Sequence, residues 1–320
     1  MTDTVVIANP RAGSAVQGER LAELAADLGW TWRWTQSGAE ATRVAREACE
    51  HGVARIVAAG GDGTVHCVVQ GILATRERPV LAVLPIGTGN DLVRTLGFPP
   101  DPEQVLAELA EGAEVRAIDV ARARIGRFER YLVNGSAAGF SGEVDRAVDE
   151  DEKARWGPLA YVRAAFDVIG DLPCYRIRVA VDGAELAPLE CVGLTVTNGR
   201  TCGGGMQVAP GADLEDGKLD LLVVRRASKL ALAGVAAQLR TGRVLENRNV
   251  RSAAGARIEL RSDPPMPINV DGELIGDVHT ARWEVLPREL PVAVGPAYDA
   301  DRDRARALAE QADGAARAAS

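Results

Sequence analysis

The stretch from Arg55 to Leu73, R-I-V-A-A-G-G-D-G-T-V-H-C-V-V-Q-G-I-L, leaves few folds open, because it reads as strand, glycine loop and helix in immediate succession. Ile56 to Ala59 is a short apolar run of the kind that fills a buried parallel strand, and Val65, Val68, Val69, Ile72 and Leu73 recur at helical spacing. Between them lie Gly60, Gly61, Asp62, Gly63 and Thr64. Glycines let the backbone turn sharply and expose its N–H groups, and the positive end of the following helix points at the same place, so a phosphate would be stabilised there. Asp62 sits oddly in that setting. A carboxylate repels a phosphate unless a divalent cation lies between them, or unless it takes a proton from an attacking hydroxyl. The same five residues also suit an ordinary turn with Asp62 or Thr64 as helix N-cap.

Similar units stand on either side. Thr4 to Ala8 predicts a strand, Asn9-Pro10-Arg11-Ala12-Gly13-Ser14 a loop, and Leu21, Leu24, Ala25 and Leu28 a helix stopped by Gly29. Trp30 to Thr35 predicts a second strand with Trp30, Trp32 and Trp34 on one face, followed by a helix ending before Gly52. Val80 to Leu84 leads through Pro85-Ile86-Gly87-Thr88-Gly89-Asn90-Asp91 into a helix closed by Gly97. Asp101, Pro102 and Gly112 frame one more helix with N-cap, first-turn proline and C-terminal glycine. Repeated βα units imply right-handed crossovers and a parallel sheet, which places the loops at Asn9, Gly61 and Gly87 at the strands' carboxyl ends.

Beyond Val115 the pattern changes to short alternating strands, such as Tyr175, Ile177, Val179 and Val181 before the turn Asp182-Gly183. Further strands are expected at 118–125, 131–134, 191–197, 219–224, 256–260, 268–270 and 283–286, with helical insertions around 142–170 and 229–240. The reading is therefore an α/β domain over residues 1–115 and a mainly-β sandwich over 116–295, with a helical segment 296–320 returning to the first domain. No apolar run approaches the length of a membrane span, and the start M-T-D-T-V-V-I-A-N-P has no basic region or cleavage site, so a cytosolic protein is expected. A formal charge of −8 argues against wrapping nucleic acid. Cys49, Cys67, Cys174, Cys191 and Cys202 form no C-x-x-C pair and read as reduced structural thiols.

Four signatures stand in order: N-P-R-A-G at Asn9 to Gly13, G-G-D-G-T at Gly60 to Thr64, P-I-G-T-G-N-D at Pro85 to Asp91, and V-D-G-E at Val270 to Glu273. Together they resemble the diacylglycerol kinase catalytic family, particularly its bacterial lipid kinases. The resemblance implies an NAD kinase-like nucleotide-binding domain followed by a β-sandwich domain, and transfer of phosphate from ATP to a lipid hydroxyl, with diacylglycerol the expected acceptor. It implies nucleotide contacts at Asn9, Pro10, Arg11, Ala12 and Gly13, at Thr35, along Gly60, Gly61, Asp62, Gly63, Thr64, Val65 and His66, and at Thr88. It also implies that Asp62, Asp91 and Asp119 hold or hydrate catalytic Mg²⁺, and that Glu273 accepts the lipid's proton. Related lipid kinases leave Asp62 open as an alternative base. This inventory suits phosphoryl transfer, where a protein mostly positions groups and neutralises charge. The lysines, Lys153, Lys218 and Lys229, all lie outside the first domain, so no Walker-type lysine is present.

The resemblance further implies a structural Mg²⁺ at Ala209 to Lys218, bound by the Asp216 carboxylate and the backbone carbonyls of Asp213 and Lys218; an acidic surface turn is the plainer reading of the same residues. One departure stands out, His66-Cys67 where the family usually has Asn-Glu. Two alternatives remain: an NAD kinase-like small-molecule kinase, against which the lack of a G-S-T-A-Y-like stretch argues, and a lipid-binding protein without catalysis, against which the full set Asp62, Asp91, Asp119 and Glu273 argues. As partners the reading gives a membrane lipid met at the inner face by transient surface contact, no nucleic acid, and a homodimer as one assembly open to it. Arg122, Arg124, Arg127 and Arg130, or Arg240, Arg243, Arg248 and Arg251, could supply that contact, with Trp156, Tyr161 and Phe166 as apolar candidates.

Overall fold

Four apolar runs of the first half lie side by side as strands. In the computed structural model, which describes residues 4–140, 172–299 and 302–303, β1 (Thr4–Ala8) pairs in parallel with β2 (Thr31–Trp34) and with β3 (Arg55–Gly60), and β3 pairs in parallel with β4 (Val80–Pro85). Helices connect them: α1 (Ala15–Asp27), α2 (Gly38–Glu50) and α3 (Asp62–Leu73), with α4 (Asp91–Thr95) and α5 (Pro102–Glu111) after β4. The local chemistry at the ends is legible. Ser14 and Ser37 accept N–H bonds from Gln17 and Glu40 as N-caps, and Asp101 does the same for Glu103 ahead of Pro102. Val6, Ile7, Ile56, Val57, Leu81 and Ile72 are fully or almost fully buried in this layer. The three tryptophans do not share one environment: Trp30 is buried, whereas Trp34 is 40% exposed and stacks edge-on with Trp32 at 5.3 Å.

The chain divides into two compact units, one comprising residues 1–120 and 287–301, the other 121–286 and 302–320. The first unit thus gains residues 287–295, which the sequence reading placed in the second. Hydrogen bonding explains the difference: Val292 sits in register with Leu81 of β4, Val294 N–H donates to Glu114 O at 2.8 Å, and Gly295 N–H donates to Leu96 O at 2.8 Å. The predicted insertion at 142–170, with Trp156, Tyr161 and Phe166, lies outside the described residues, as does most of the segment expected to be the C-terminal helix.

In the second unit the strands are mainly antiparallel. β5 (Val115–Ile125) enters it and pairs with β6 (Phe128–Leu132); β7 (Gly135–Gly139), β8 (Tyr175–Val181), β9 (Ala184–Glu185), β10 (Leu189–Thr197), β11 (Thr201–Cys202), β12 (Met206–Gln207) and β13 (Leu219–Arg225) follow. Helix α6 (Lys229–Thr241) then precedes β14 (Val250–Gly255), β15 (Arg257–Val270) and β16 (Glu273–Ala293). The neighbours run β14-β13-β10-β7-β15-β16. β10 and β15 each pair with β8 along one part and with β7 along another, the partner switching by which packed β layers turn corners. Their inward residues, with Trp283 fully buried, form the core. β7 and β14, with the two-residue β9, β11 and β12, are strands the sequence does not announce. The G-S-A-A-G of β7 is small because it is wedged between β10 and β15: a Cβ on Gly139 would stand 2.6 Å from the Val192 carbonyl oxygen of β10 and 2.9 Å from the Met266 methyl of β15. Residues expected as two strands, 256–260 and 268–270, form one long β15 whose pairing with β16 shifts register between Arg261 and Met266, across the prolines. Burial pushes the Cys191 thiol up to about 12, in keeping with an unreactive core cysteine.

Candidate active site

Because the first-unit strands run in parallel, the loops after β1, β3 and β4 emerge at one end of the sheet. They touch one another. Asn9 N–H donates to Ala59 O at 3.1 Å and Ile86 N–H to Gly60 O at 3.3 Å, so the first residue of one loop and the second of another are pinned to β3. A Cβ on Gly13, whose φ is +69°, would meet the Ile86 methyl at 2.6 Å, and one on Gly87 would collide with Gly61. N-P-R-A-G, G-G-D-G-T and P-I-G-T-G-N-D are therefore packed into one surface, and their glycines are what permits it.

The individual residues divide into presenters and supports. Pro10, Arg11, Gly13 and Thr88 are exposed, Asn9 and Ala12 partly so, and the Asn9 side-chain oxygen accepts the Arg11 N–H at 3.0 Å. Thr64, Val65 and His66 are buried, and the Thr64 and Val65 N–H groups already donate to Gly61 O at 2.9 and 3.2 Å, so any donors offered to a ligand lie earlier, at the very start of α3. The His66 side chain lies on the helix face that points inward. Its neighbour Cys67 packs beside Gly38 at the start of α2, and its carbonyl accepts the Thr42 hydroxyl at 2.9 Å. Thr35 is likewise a support: buried, with its hydroxyl and N–H both directed to Ala8 O, it fixes the end of β1.

Neither Asp62 nor Thr64 is the N-cap of α3; Gly61 is. Asp62 instead reaches across to the next loop, where its Oδ1 accepts the N–H of Asp91 at 2.9 Å and of Leu92 at 3.3 Å. It thereby caps α4, whose own N-cap Asn90 is left-handed (φ +50°) and makes no capping side-chain bond to it. A methyl group on Gly89 would lie 2.8 Å from Asp62 Oδ2 and 3.9 Å from Asp91 Oδ2. Two carboxylates so close suit one Mg²⁺ that keeps several waters and takes its remaining ligands from phosphates. Asp119 does not join them in a cage: among the described residues no three acidic, histidine or cysteine side chains gather as metal ligands. Its fully buried carboxylate accepts the Arg288 N–H at 2.8 Å, which gives it a role in holding the strand ends.

In the second unit Glu273 opens β16 with its side chain 48% exposed and 3.4 Å from the Arg130 guanidinium. The residue that sequence reasoning passed over is Asp271. Its carboxylate is buried and accepts three backbone N–H groups, from Val133 at 3.3 Å, Asn134 at 3.3 Å and Gly135 at 2.8 Å. Asn198 adds a bond from its amide to Val133 O at 3.1 Å. The Asp271-Gly272 turn is thus a hairpin turn, as its sequence suits, and also the clamp that holds the loop before β7 against the turn leading to Glu273.

The acidic loop at 213–218 is partly neutralised from within. Arg302 stands 2.7 Å from Asp213 and 3.2 Å from Glu215, all three largely buried. Asp216 accepts the Lys218 N–H at 2.9 Å, and burial, with Asp216 nearby, pushes the Asp220 carboxyl up to about 7. An oxygen-only set of the Asp216 carboxylate and the carbonyls of Asp213 and Lys218 fits Mg²⁺, which would relieve the Asp216–Asp220 repulsion. If it binds there, wild-type melting temperature rises with Mg²⁺ and that of Asp216→Ala rises less, since a ligand stabilises the state that binds it. Equal rises in thermal scans of both proteins would remove the metal from this loop.

Residues 3–123 match the diacylglycerol kinase catalytic domain, and residues 135–294 match the YegS C-terminal NAD kinase beta sandwich-like domain. The chain belongs to the diacylglycerol kinase catalytic family. A "Probable lipid kinase YegS-like" of Chromohalobacter salexigens is 34% identical over 249 residues, 75% of this chain and 76% of that protein. A "Diacylglycerol kinase" of Bacillus subtilis is 28% identical over 276 residues, covering 85% and 89%. Among solved structures, a diacylglycerol kinase from Bacillus anthracis superposes with a TM-score of 0.76 at 25% identity, covering 92% of this chain and 98% of that one. An NAD kinase from Archaeoglobus fulgidus in complex with ATP has a TM-score of 0.54 at 14% identity, covering 97% and 98%, a likeness of fold alone. The protein is a lipid kinase by family, with an NAD kinase-like fold and a C-terminal β domain.

Proposed function

We propose that this lipid kinase transfers the γ-phosphate of ATP, with Mg²⁺, to the hydroxyl of diacylglycerol. The observation that carries the reading is the convergence of the three glycine loops, with the Asp62 and Asp91 carboxylates meeting at Gly89. Backbone N–H groups at the start of α3 and the Arg11 side chain would bind phosphates, and Asp62 and Asp91 would hold the cation. Mg²⁺, when bound, supplies the positive charge that lets carboxylates and phosphates share one site. The Asp62 oxygen already committed to two N–H groups is less available to take a proton, which favours Asp62 as a holder of the cation. Glu273, exposed at the start of its strand, takes the lipid's proton in this reading.

ATP consumption by the purified chain over diacylglycerol, a sphingoid base, ceramide, an isoprenoid alcohol and NAD tests the assignment. Turnover with diacylglycerol is the expected result. Turnover with NAD alone would move the chain to the NAD kinase reading, and nucleotide binding without turnover on any lipid would make it a binding protein. Glu273→Gln should lower kcat on the order of a hundredfold or more while the Kd for ATP stays put. Should ATP binding collapse with kcat intact, Glu273 serves the nucleotide. Among the described residues no helix is long and apolar enough to cross a membrane. Contact with the cytoplasmic face of a bilayer is accordingly proposed as peripheral.

A further inference from the structure

Helix α6, K-L-A-L-A-G-V-A-A-Q-L-R-T, contains no carboxylate and few polar residues. A helix apolar on all sides ordinarily belongs in an interior. Here only Val235 is buried, against Leu222, Val244 and Val250. At roughly 100° per residue Leu230, Ala233 and Ala237 fall opposite Val235. All three are exposed, Leu230 by 85%. Lys229 and Arg240 border that line and are exposed too.

The charge around the helix is opposite in sign to that of the whole chain. The chain carries −8, yet residues 225–251 hold seven Arg or Lys and a single carboxylate, Glu246. All seven cations are exposed. Only Arg243, bound to Glu246, and Arg226, 3.8 Å from Glu190, have an acidic neighbour within ion-pair distance among the described residues. The other arginine cluster is different. Arg122 pairs with Glu284, Arg124 with Glu129 and Arg130 with Glu273, while Arg127 and Arg130 cover the Phe128 ring at 5.1 and 5.9 Å.

We propose that the outward face of α6 is the surface by which this protein docks on an anionic bilayer, with Leu230 entering the acyl boundary and Lys229 and Arg240 meeting lipid phosphates. An exposed apolar line with a basic border is the pattern of helices that lie in a membrane interface. A second copy of the chain is a poorer occupant, because face-to-face contact would bring two basic borders together. The inference deepens the lipid kinase reading by naming its membrane contact, and binding is measured without nucleotide so that the two can fail separately.

The test is sedimentation of the full chain with vesicles of phosphatidylcholine alone or mixed with phosphatidylglycerol. Wild type should bind the mixed vesicles selectively. Leu230→Glu should weaken that binding, and Lys229→Glu with Arg240→Glu should weaken it by at least roughly fivefold per cation removed, or about twenty-five-fold in all. Both variants should retain wild-type melting curves and turnover on a short-chain, water-soluble diacylglycerol. Equal wild-type binding to the two vesicle types, or wild-type binding by both variants, overturns the proposal. So does a dimer that Leu230→Glu dissociates in ultracentrifugation without loss of vesicle binding, since the face would then belong to a second copy.

Discussion

Asp62→Asn is expected to fold and melt like the wild type and to lose phosphoryl transfer by roughly a thousandfold, the scale on which removal of one fixed electrostatic group acts. Asp62→Ala should lose the same activity and some stability as well. The distinction follows from the two duties of the side chain. Its Oδ1 accepts the N–H groups that open α4, and its Oδ2 faces the Gly89 position shared with Asp91. Asparagine keeps a carbonyl oxygen for the cap and removes the negative charge. Alanine removes both, and loss of a helix cap costs about 1–2 kcal/mol, or a few degrees of melting temperature. Turnover, ATP affinity as a function of Mg²⁺, and a thermal scan of each variant decide the matter. Wild-type turnover in the asparagine variant would end the case for Asp62 as a holder of the cation. An alanine variant that melts like the wild type would end the case for the cap.

That double duty accounts for the joint presence of two glycine loops. The G-T-G-N-D loop puts Asn90 in the left-handed region, which asparagine tolerates, and turns its amide to Gly87 O at 2.6 Å, leaving the start of α4 without a local cap. G-G-D-G supplies that cap from another loop. The bond that orders the second loop is therefore made by the carboxylate that the proposed chemistry would use, so loop geometry and charge placement would be fixed together.

How far the sequence revealed this depended on whether the information was local. The βα units were legible because apolar runs, serine and aspartate caps and terminal glycines each act within a few residues, as at Ser37 or Asp101–Gly112. The convergence of three loops followed from parallel pairing. β7 was hidden because Gly135 to Gly139 carries no strand-forming side chains; what makes it a strand is the space between its neighbours. The return of 287–295 to the first unit depends on a register with β4 that no local pattern encodes. At the site, residue types drew attention to Asp62 and Asp91, which open α3 and α4, and to Glu273, which opens β16. They could not show that Asp119 is tied to Arg288, that His66 is turned inward, or that Asp213 is neutralised by Arg302. Each of those depends on a partner distant in the chain.

Asp271 is the clearest case of such a partner, and its replacement is the second large effect expected. Asp271→Ala would leave the N–H groups of Val133, Asn134 and Gly135 without their acceptor beneath the turn. A buried donor left unpaired costs about 1–3 kcal/mol; with two of the three bonds long, the sum is about 3–5 kcal/mol. That corresponds to a fall on the order of 10 °C in melting temperature. Asp271→Asn should be milder. Its backbone φ of +45° suits asparagine, and the amide oxygen can keep the bonds to Asn134 and Gly135, while the amide nitrogen turns a donor toward the Val133 N–H. Because Val270 pairs with Glu273 across this turn, loosening the clamp also releases Glu273. The asparagine variant should then show reduced kcat on lipid with unchanged ATP affinity, since the loops proposed to bind nucleotide belong to the first unit. A melting curve for Asp271→Ala that overlays the wild type would show that water replaces the carboxylate without penalty. Full turnover by Asp271→Asn at a lowered melting temperature would show that the clamp stabilises the unit without positioning Glu273.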